Sequence, residues 1–193
     1  MSEPMLTPAN PSPSECFLND VWCLYFHDPN DNNWTPSSYQ LIATLSNVED
    51  FQRVMTSVPQ DLWFKGMFFI MREHVQPVWE DPSNANGGCF SMKVMRNHLM
   101  DTWVNVCAAA LGETIVKEKA LWDLVTGVSI SPKKSYILIR VWIRDTTHTD
   151  THQFNFHQPA YTEVLFKVHQ PDLPVNPVNP ATPTNPLNPV APV

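Results

Sequence analysis

From about residue 17 to residue 169 the chain switches between a two-residue and a roughly 3.6-residue spacing of apolar positions, the periods of strand and helix. Val21–His27 and Tyr39–Leu45 are rich in aromatic and aliphatic side chains and predict two strands. Ser46, with Glu49 three residues on, predicts a capping box that opens a helix through about Met55. Gly66–Glu73 and Cys89–Met95 predict strands on either side of a loop, Gln76–Gly88, that carries Pro, Asn and Gly-Gly. Asn97–Leu111 predicts a helix ended by Gly112, and Thr114–Asp123 a shorter one. Gly127–Ile130 and Tyr136–Arg144 predict a hairpin turning at Pro132-Lys133-Lys134-Ser135, and Glu163–His169 a last strand. Hairpins in succession, with few strand-helix-strand units, imply an α+β fold: an antiparallel sheet with helices on one face.

The ends differ from this body. Pro4, Pro8, Pro11 and Pro13 mark residues 1–16 as a polar leader, and from Pro171 to Pro192 every third residue is proline. Polyproline II has three residues per turn and no internal hydrogen bonds, so residues 170–193 are expected to stay outside the core, as a spacer or as a ligand for an aromatic-lined groove. One domain, residues 17–169, is the expectation for a chain of 193 residues. Four cysteines without a C-x-x-C pair suggest a reducing compartment, and the first residues lack the basic and apolar regions of an export signal. No apolar run approaches the length of a membrane span, so a cytoplasmic protein is expected. A formal net charge of −7 argues against a protein that grips long stretches of phosphate backbone, and any nucleic-acid site should be small and local.

Two of the seven tryptophans stand where a core residue would not. Trp34 lies in DPNDNNWTPSS and Trp79 in a polar loop directly before Glu80-Asp81. Two loop indoles suggest two plates for a flat ligand, worth about 1–3 kcal/mol per stacked face and more for a cationic ring. The carboxylate of Glu80 accepts hydrogen bonds only; it matches the N1–H and N2–H donors of guanine and rejects adenine. A cationic guanine is the natural occupant. Trp22, Trp103 and Trp122 lie in periodic segments and are expected in the core, while no pattern places Trp63.

The segments VWCLYF, NWTPSSYQLI, SNVEDF, VQPVWEDPSNANGGCF, TWVNVCAAALGE and RVW resemble, in order and spacing, the cap-binding translation initiation factor 4E family. The resemblance covers most of residues 17–145, and P-x-W-E-D followed by Gly-Gly is its most specific part. It implies a strongly curved antiparallel sheet with helices on its convex face and the 7-methylguanosine cap of mRNA in the concave one. On that resemblance Trp34 and Trp79 sandwich the base, Glu80 binds its Watson–Crick edge, the Trp79 backbone N–H meets O6, and Trp142 lies against the N7-methyl group. Trp142 could equally be a core residue of its strand. Lys133 and Lys134 in the hairpin turn, and Arg140 on the same strand face as Trp142, are the candidates for the cap phosphates. The family's phosphate-binding residues precede that strand at a fixed spacing; here Ser131 takes one such position, in a hairpin about two residues longer.

The family also docks a helical segment of its scaffold protein, initiation factor 4G, on the convex side. Val48, Val104 and Ala108 keep an apolar strip there, but the tryptophan that usually follows V-E-D-F is Gln52 and the usually acidic position after Val104 is Asn105. An atypical contact with the scaffold or with a regulator is expected, from a monomer. Catalysis is not indicated: Cys89 could be paired with a histidine only on paper, without a nucleophile motif. His148, Asp150, His152 and His157 lack metal-ligand spacing, and no cofactor is implied. The alternative to cap binding is a module that keeps the fold only for protein interaction.

Overall fold

The computed structural model describes residues 15–169; the proline-rich tail and nearly all of the leader lie outside them. Seven strands, β1 (Phe17–His27), β2 (Gln40–Asn47), β3 (Met67–Arg72), β4 (Gly88–Val94), β5 (Val125–Pro132), β6 (Ile137–Ile143) and β7 (Val164–Val168), form one sheet in the order β2-β1-β3-β5-β6-β4-β7. All neighbours are antiparallel. Register shifts in the β1–β2 and β5–β6 pairings add local twist, and the sheet is curved. This is the expected α+β architecture.

Alternation along the strands separates two apolar sets. Trp22, Leu24, Phe68, Ile70, Phe90, Met92, Val128, Ile130, Ile139 and Val141 point to the helix-covered convex side and join the main core. Cys23, Tyr25, Met67, Phe69, Met71 and Trp142 form a smaller cluster on the concave side. Every residue of β3 is buried, so its apolar run is continuous instead of alternating. Helix α1 (Val48–Ser57), the single turn α2 (Gln60–Trp63) and helix α3 (Leu99–Leu111) cover the convex face. Trp103 of α3 and Trp63 are fully buried there, their ring centroids 6.2 Å apart, and Trp63 also packs against Phe68 at 4.4 Å.

Several expectations need correction. The cap of α1 is Asn47, one residue later than Ser46: its side chain accepts from the Asp50 N–H at 2.7 Å, and Asp50 reaches back to the Ser46 N–H at 3.0 Å. Glu49 is thereby free to accept from the Cys16 N–H, which ties the start of β1 to α1. Strand β1 begins four residues before Val21. Helix α3 starts at Leu99, after a 3-10 turn over Arg96–His98. At its end Gly112 is the C-cap, but the left-handed residue is Glu113, with φ 58°. Thr114–Asp123 is not an α-helix. Val116 is held in a bridge to Phe154, and Lys119–Leu124 is 3-10. Trp122 is not a core residue: it is 37% exposed and lies over the Arg72 guanidinium, which Trp22 covers from its own ring at the same 4.7 Å. Arg72 is buried, pairs with Asp20 and donates to the Val125 and Trp122 carbonyls, so the charge is satisfied without water.

Because Trp103 is fully buried in the convex-face core, Trp103→Ala should open a cavity and cost about 3–5 kcal/mol. Chemical denaturation of the variant measures this directly; a loss below about 1 kcal/mol would contradict the assignment of that face as the main core.

Candidate functional site

The concave face carries a cleft of about 910 Å³. Its floor is one side of the sheet: Met67 and Phe69 from β3, Cys89, Ser91 and Lys93 from β4, Ser131 from β5, Leu138, Arg140 and Trp142 from β6, and Leu165 and Lys167 from β7. Two connections reach over it from opposite ends of β3. The first follows His27, which pairs with Met67 at the start of that strand, and carries Trp34; the second follows Arg72, its last residue, and carries Trp79. Both indoles are about half exposed, at 49% and 45%, as expected of rings that border a cleft and not of core residues.

Each connection is built from side chain to backbone bonds. Asp28, Asp31 and Asn33 accept, in turn, from the N–H groups of Asn30, Asn33 and Thr35 at 2.8–3.1 Å, a run of Asx turns leading to Trp34. In the second connection the Asp81 carboxylate accepts from the Gln76 and Ser83 N–H groups at 2.9 and 2.8 Å. Asn84, fully buried, donates to the Gln76 and Val78 carbonyls and accepts from the Thr126 hydroxyl at 2.8 Å. These two side chains shape the stretch that presents Trp79 and Glu80 and fasten it to β5. The loop then ends on Gly87 and Gly88, where side chains have no room: a Cβ on Gly87 would collide with the Ile143 carbonyl and one on Gly88 with the Lys167 carbonyl.

Trp142 lies at the floor, only 7% exposed; its Nε1–H donates to the Ser129 hydroxyl at 2.9 Å, and Phe69 meets it edge-on at 6.2 Å. It therefore packs as a core residue of the concave cluster while still lining the cleft. Glu80 is exposed and is not among the residues that line the cleft. Its charge nevertheless acts on Tyr39, a lining residue whose hydroxyl is pushed up to about 12 by burial and by that carboxylate.

Of the three cations expected for phosphate, Lys133 and Arg140 line the cleft and Lys134 does not. Burial and the neighbouring Arg140 charge push the Lys133 ammonium down. The sequence reading missed Lys93 and Lys167, which join them from β4 and β7. The signal was available: Lys93 alternates with Cys89 and Ser91 along β4, and Lys167 is the one polar residue of β7 and pairs with Cys89. Register places Ser91 beside Arg140 and Cys89 beside Lys167. Ser131, at 1% exposure, lines the same region, and its hydroxyl has no partner among the described residues. Burial pushes the Cys89 thiol up, and Arg140 opposes that only in part. His169, beside Trp142 at 4.8 Å, is held down to about 4 by burial and by the charge of Arg140.

On the convex side, Val48, Gln52, Asn105 and Ala108 are exposed and Val104 is half-buried, on the outer surfaces of α1 and α3. Among the described residues no group of three His, Cys, Asp or Glu side chains is placed to hold a metal ion, and no helix is long and apolar enough to cross a membrane.

A sheet closed on one side by helices and open on the other between two tryptophan-bearing loops has counterparts. A family profile described as Eukaryotic initiation factor 4E matches residues 17–170. The chain belongs to the eukaryotic initiation factor 4E family. It is 30% identical over 138 residues to the Candida albicans eukaryotic translation initiation factor 4E, spanning 66% of this chain and 64% of that protein. The homolog from Acanthamoeba polyphaga mimivirus is 28% identical over 169 residues, spanning 77% of this chain and 56% of its own. Both matches thus cover less than two thirds of the relative. Among solved structures, the fold matches a complex of C. elegans eIF4E-3 with the 4E-binding protein Mextli and cap analog, with a TM-score of 0.69 and 20% identity over 81% of this chain and 94% of that one. Ascaris suum eIF4E-3 in complex with m2,2,7G cap gives 0.68 and 19%, over 81% and 92%.

Burial and the Arg140 charge disfavour a protonated His169 ring, so the folded state is penalised least above about 6.5, the ordinary value, and loses stability as pH falls through 6.5 toward 4. His169→Gln should flatten this part of the stability-pH curve, read from thermal melts at fixed ionic strength; parallel curves for the two proteins would rule the effect out.

Proposed function

We propose that this chain binds the 7-methylguanosine cap of mRNA in its concave cleft, and acts in or regulates translation initiation, as a binding protein without catalysis. The observation that carries the proposal is that Trp34 and Trp79, from two separate loops, border one cleft that Trp142 floors and that Lys93, Lys133, Arg140 and Lys167 line. Family membership and the cap ligands of the C. elegans and A. suum structures support the same reading.

In this reading Trp34 and Trp79 stack on the two faces of the methylated base, whose positive charge the indole faces favour. Glu80 takes the N1–H and N2–H donors, and the Trp79 N–H donates to O6. Glu80 turns toward the base from the rim, which is consistent with a charge already acting on Tyr39 inside the cleft. Trp142 faces the N7-methyl group from the floor. Arg140 and Lys133, with Lys93 and Lys167 in support, neutralise the phosphates, and the buried Ser131 hydroxyl offers them a donor. Lys134 has at most an outer, solvent-screened part in this.

A second reading, a fold kept for protein interaction alone, draws on the exposed position of Glu80, outside the cleft lining. The two separate in one titration. Intrinsic tryptophan fluorescence should quench with 7-methylguanosine triphosphate and respond far less to unmethylated GTP. Trp79→Ala should abolish the response without lowering the melting temperature by much, and Glu80→Gln, which turns an acceptor toward two donors into a donor, should cost about 2–4 kcal/mol. Equal affinity for the two nucleotides would remove the cap reading.

For the convex surface we propose an atypical scaffold or regulator, consistent with the 4E-binding proteins present in the C. elegans and schistosome complexes. A tryptophan at a helix-groove interface is a typical hot spot, worth about 2 kcal/mol or more, and Gln52 stands in its place. A family peptide of the Y-x-x-x-x-L type should bind weakly to the native chain and more tightly to Gln52→Trp in a calorimetric titration. Tight binding to the native chain with no gain in the variant would show that the surface is the ordinary one.

A further inference from the structure

We propose that His27 is a positioning residue for the cleft: its buried imidazole backs one face of Trp34 and fixes the loop beside it, so that only the opposite indole face remains for a ligand. The inference rests on the cap-binding reading for the identity of that ligand, but not for the role of the histidine in the free protein.

His27 is the last residue of β1 and is fully buried. Its ring lies parallel to that of Trp34, with centroids 4.3 Å apart and planes 6° apart. The same imidazole hydrogen-bonds through Nε2, at 2.8 Å, to the carbonyl of Asn33, the residue just before Trp34. A carbonyl can only accept, so Nε2 carries the proton in this arrangement. One side chain therefore holds both the indole and the peptide that carries it. Tyr39 braces the imidazole at 4.7 Å and 52°, and Phe69 braces Tyr39 edge-on at 5.2 Å, on the way to Trp142 at the floor. Trp34 is thus linked to the sheet through a line of rings, in addition to the Asx turns before it and the 3-10 turn Pro36–Ser38 after it.

The physical consequence is preorganisation. An indole free to rotate in a loop must be immobilised when a ligand stacks on it, and that cost reduces affinity by about two- to tenfold for one rotamer-rich side chain. A ring already stacked on one face has lost that freedom before the ligand arrives, and it cannot fold back to cover its own open face.

The test compares His27→Phe, which keeps a ring and loses the Nε2 donor, with His27→Asn, which keeps a donor and loses the ring. Thermal melts establish that each variant is folded. Each is titrated with the nucleoside 7-methylguanosine and with its triphosphate, and the free proteins are labelled with 5-fluorotryptophan for 19F NMR. His27→Asn should lose about tenfold in affinity for both ligands by the same factor, since the missing plate concerns the base and not the phosphates; His27→Phe should recover most of that loss. The Trp34 resonance of the free protein should stay dispersed in the native chain and in His27→Phe and move toward the free-indole position in His27→Asn. Equal behaviour of the two variants, or a loss seen only with the triphosphate, would overturn the role. If the native chain bound neither ligand, the cap reading would fail, and the fluorine spectra alone would decide for or against His27: an unmoved Trp34 resonance in His27→Asn would overturn it.

Discussion

The two-sided burial of β3 is the constraint on which the rest of the molecule depends. Phe68 and Ile70 enter the core under the helices, while Met67, Phe69 and Met71 enter the concave cluster, so the strand is anchored from both sides and cannot slip by one residue without exchanging the two sets. Its neighbours inherit that register. Trp142 on β6 meets Phe69, and Gly127 on β5 leaves room for Met71, against whose sulfur any side chain there would clash. The floor of the cleft is thus fixed by packing that owes nothing to a ligand, and only the two loops above it have to be shaped separately.

Those loops are shaped by short polar side chains. The Trp34 connection relies on Asx turns and on His27; the Trp79 connection relies on Asp81, Asn84 and the glycine pair. Buried amides and carboxylates that satisfy backbone groups are costly to remove, because the partners are left without water. The P-x-W-E-D and Gly-Gly motif is consequently a structural unit: in Trp79-Glu80-Asp81, the indole borders the cleft, the first acid is exposed beside it, and the second holds the turn.

The strands, their antiparallel order and most of the core were legible because apolar alternation records which face is covered, and long apolar runs such as Gly66–Glu73 record burial on both. Local chemistry was less legible where several residues could do the same job. Ser46, Asn47, Glu49 and Asp50 offer more than one capping arrangement, and the one adopted depends on Cys16, 33 residues from Glu49, as a competing partner. Thr114–Asp123 has helical spacing, but the bridge of Val116 to Phe154 is a long-range contact invisible to a local window. Trp122 reads as apolar, yet what it covers is a guanidinium. Trp34 and Trp79 stood out because an indole among turn formers violates the pattern, whereas His27, directly behind Trp34, looked like an ordinary strand residue.

The cations illustrate how a sheet can redistribute a site. Lys93, Arg140 and Lys167 come from three adjacent strands, and the register places Arg140 beside Ser91 and Lys167 beside Cys89. Neighbouring strands lie only about 5 Å apart, less than the reach of a lysine or arginine side chain, so one point above the sheet can be served from any of several strands. A linear motif fixes sequence spacing and so detects a cation only when it comes from the customary strand. With Ser131 at one customary position, Lys93 and Lys167 from β4 and β7 add to the charge that Lys133 in the β5–β6 turn and Arg140 on β6 bring to the cleft. In a chain of net charge −7 this concentration is local, and at physiological salt its field falls off over about 8 Å. A field of that range is matched to a few closely spaced negative charges and not to a long stretch of nucleic acid.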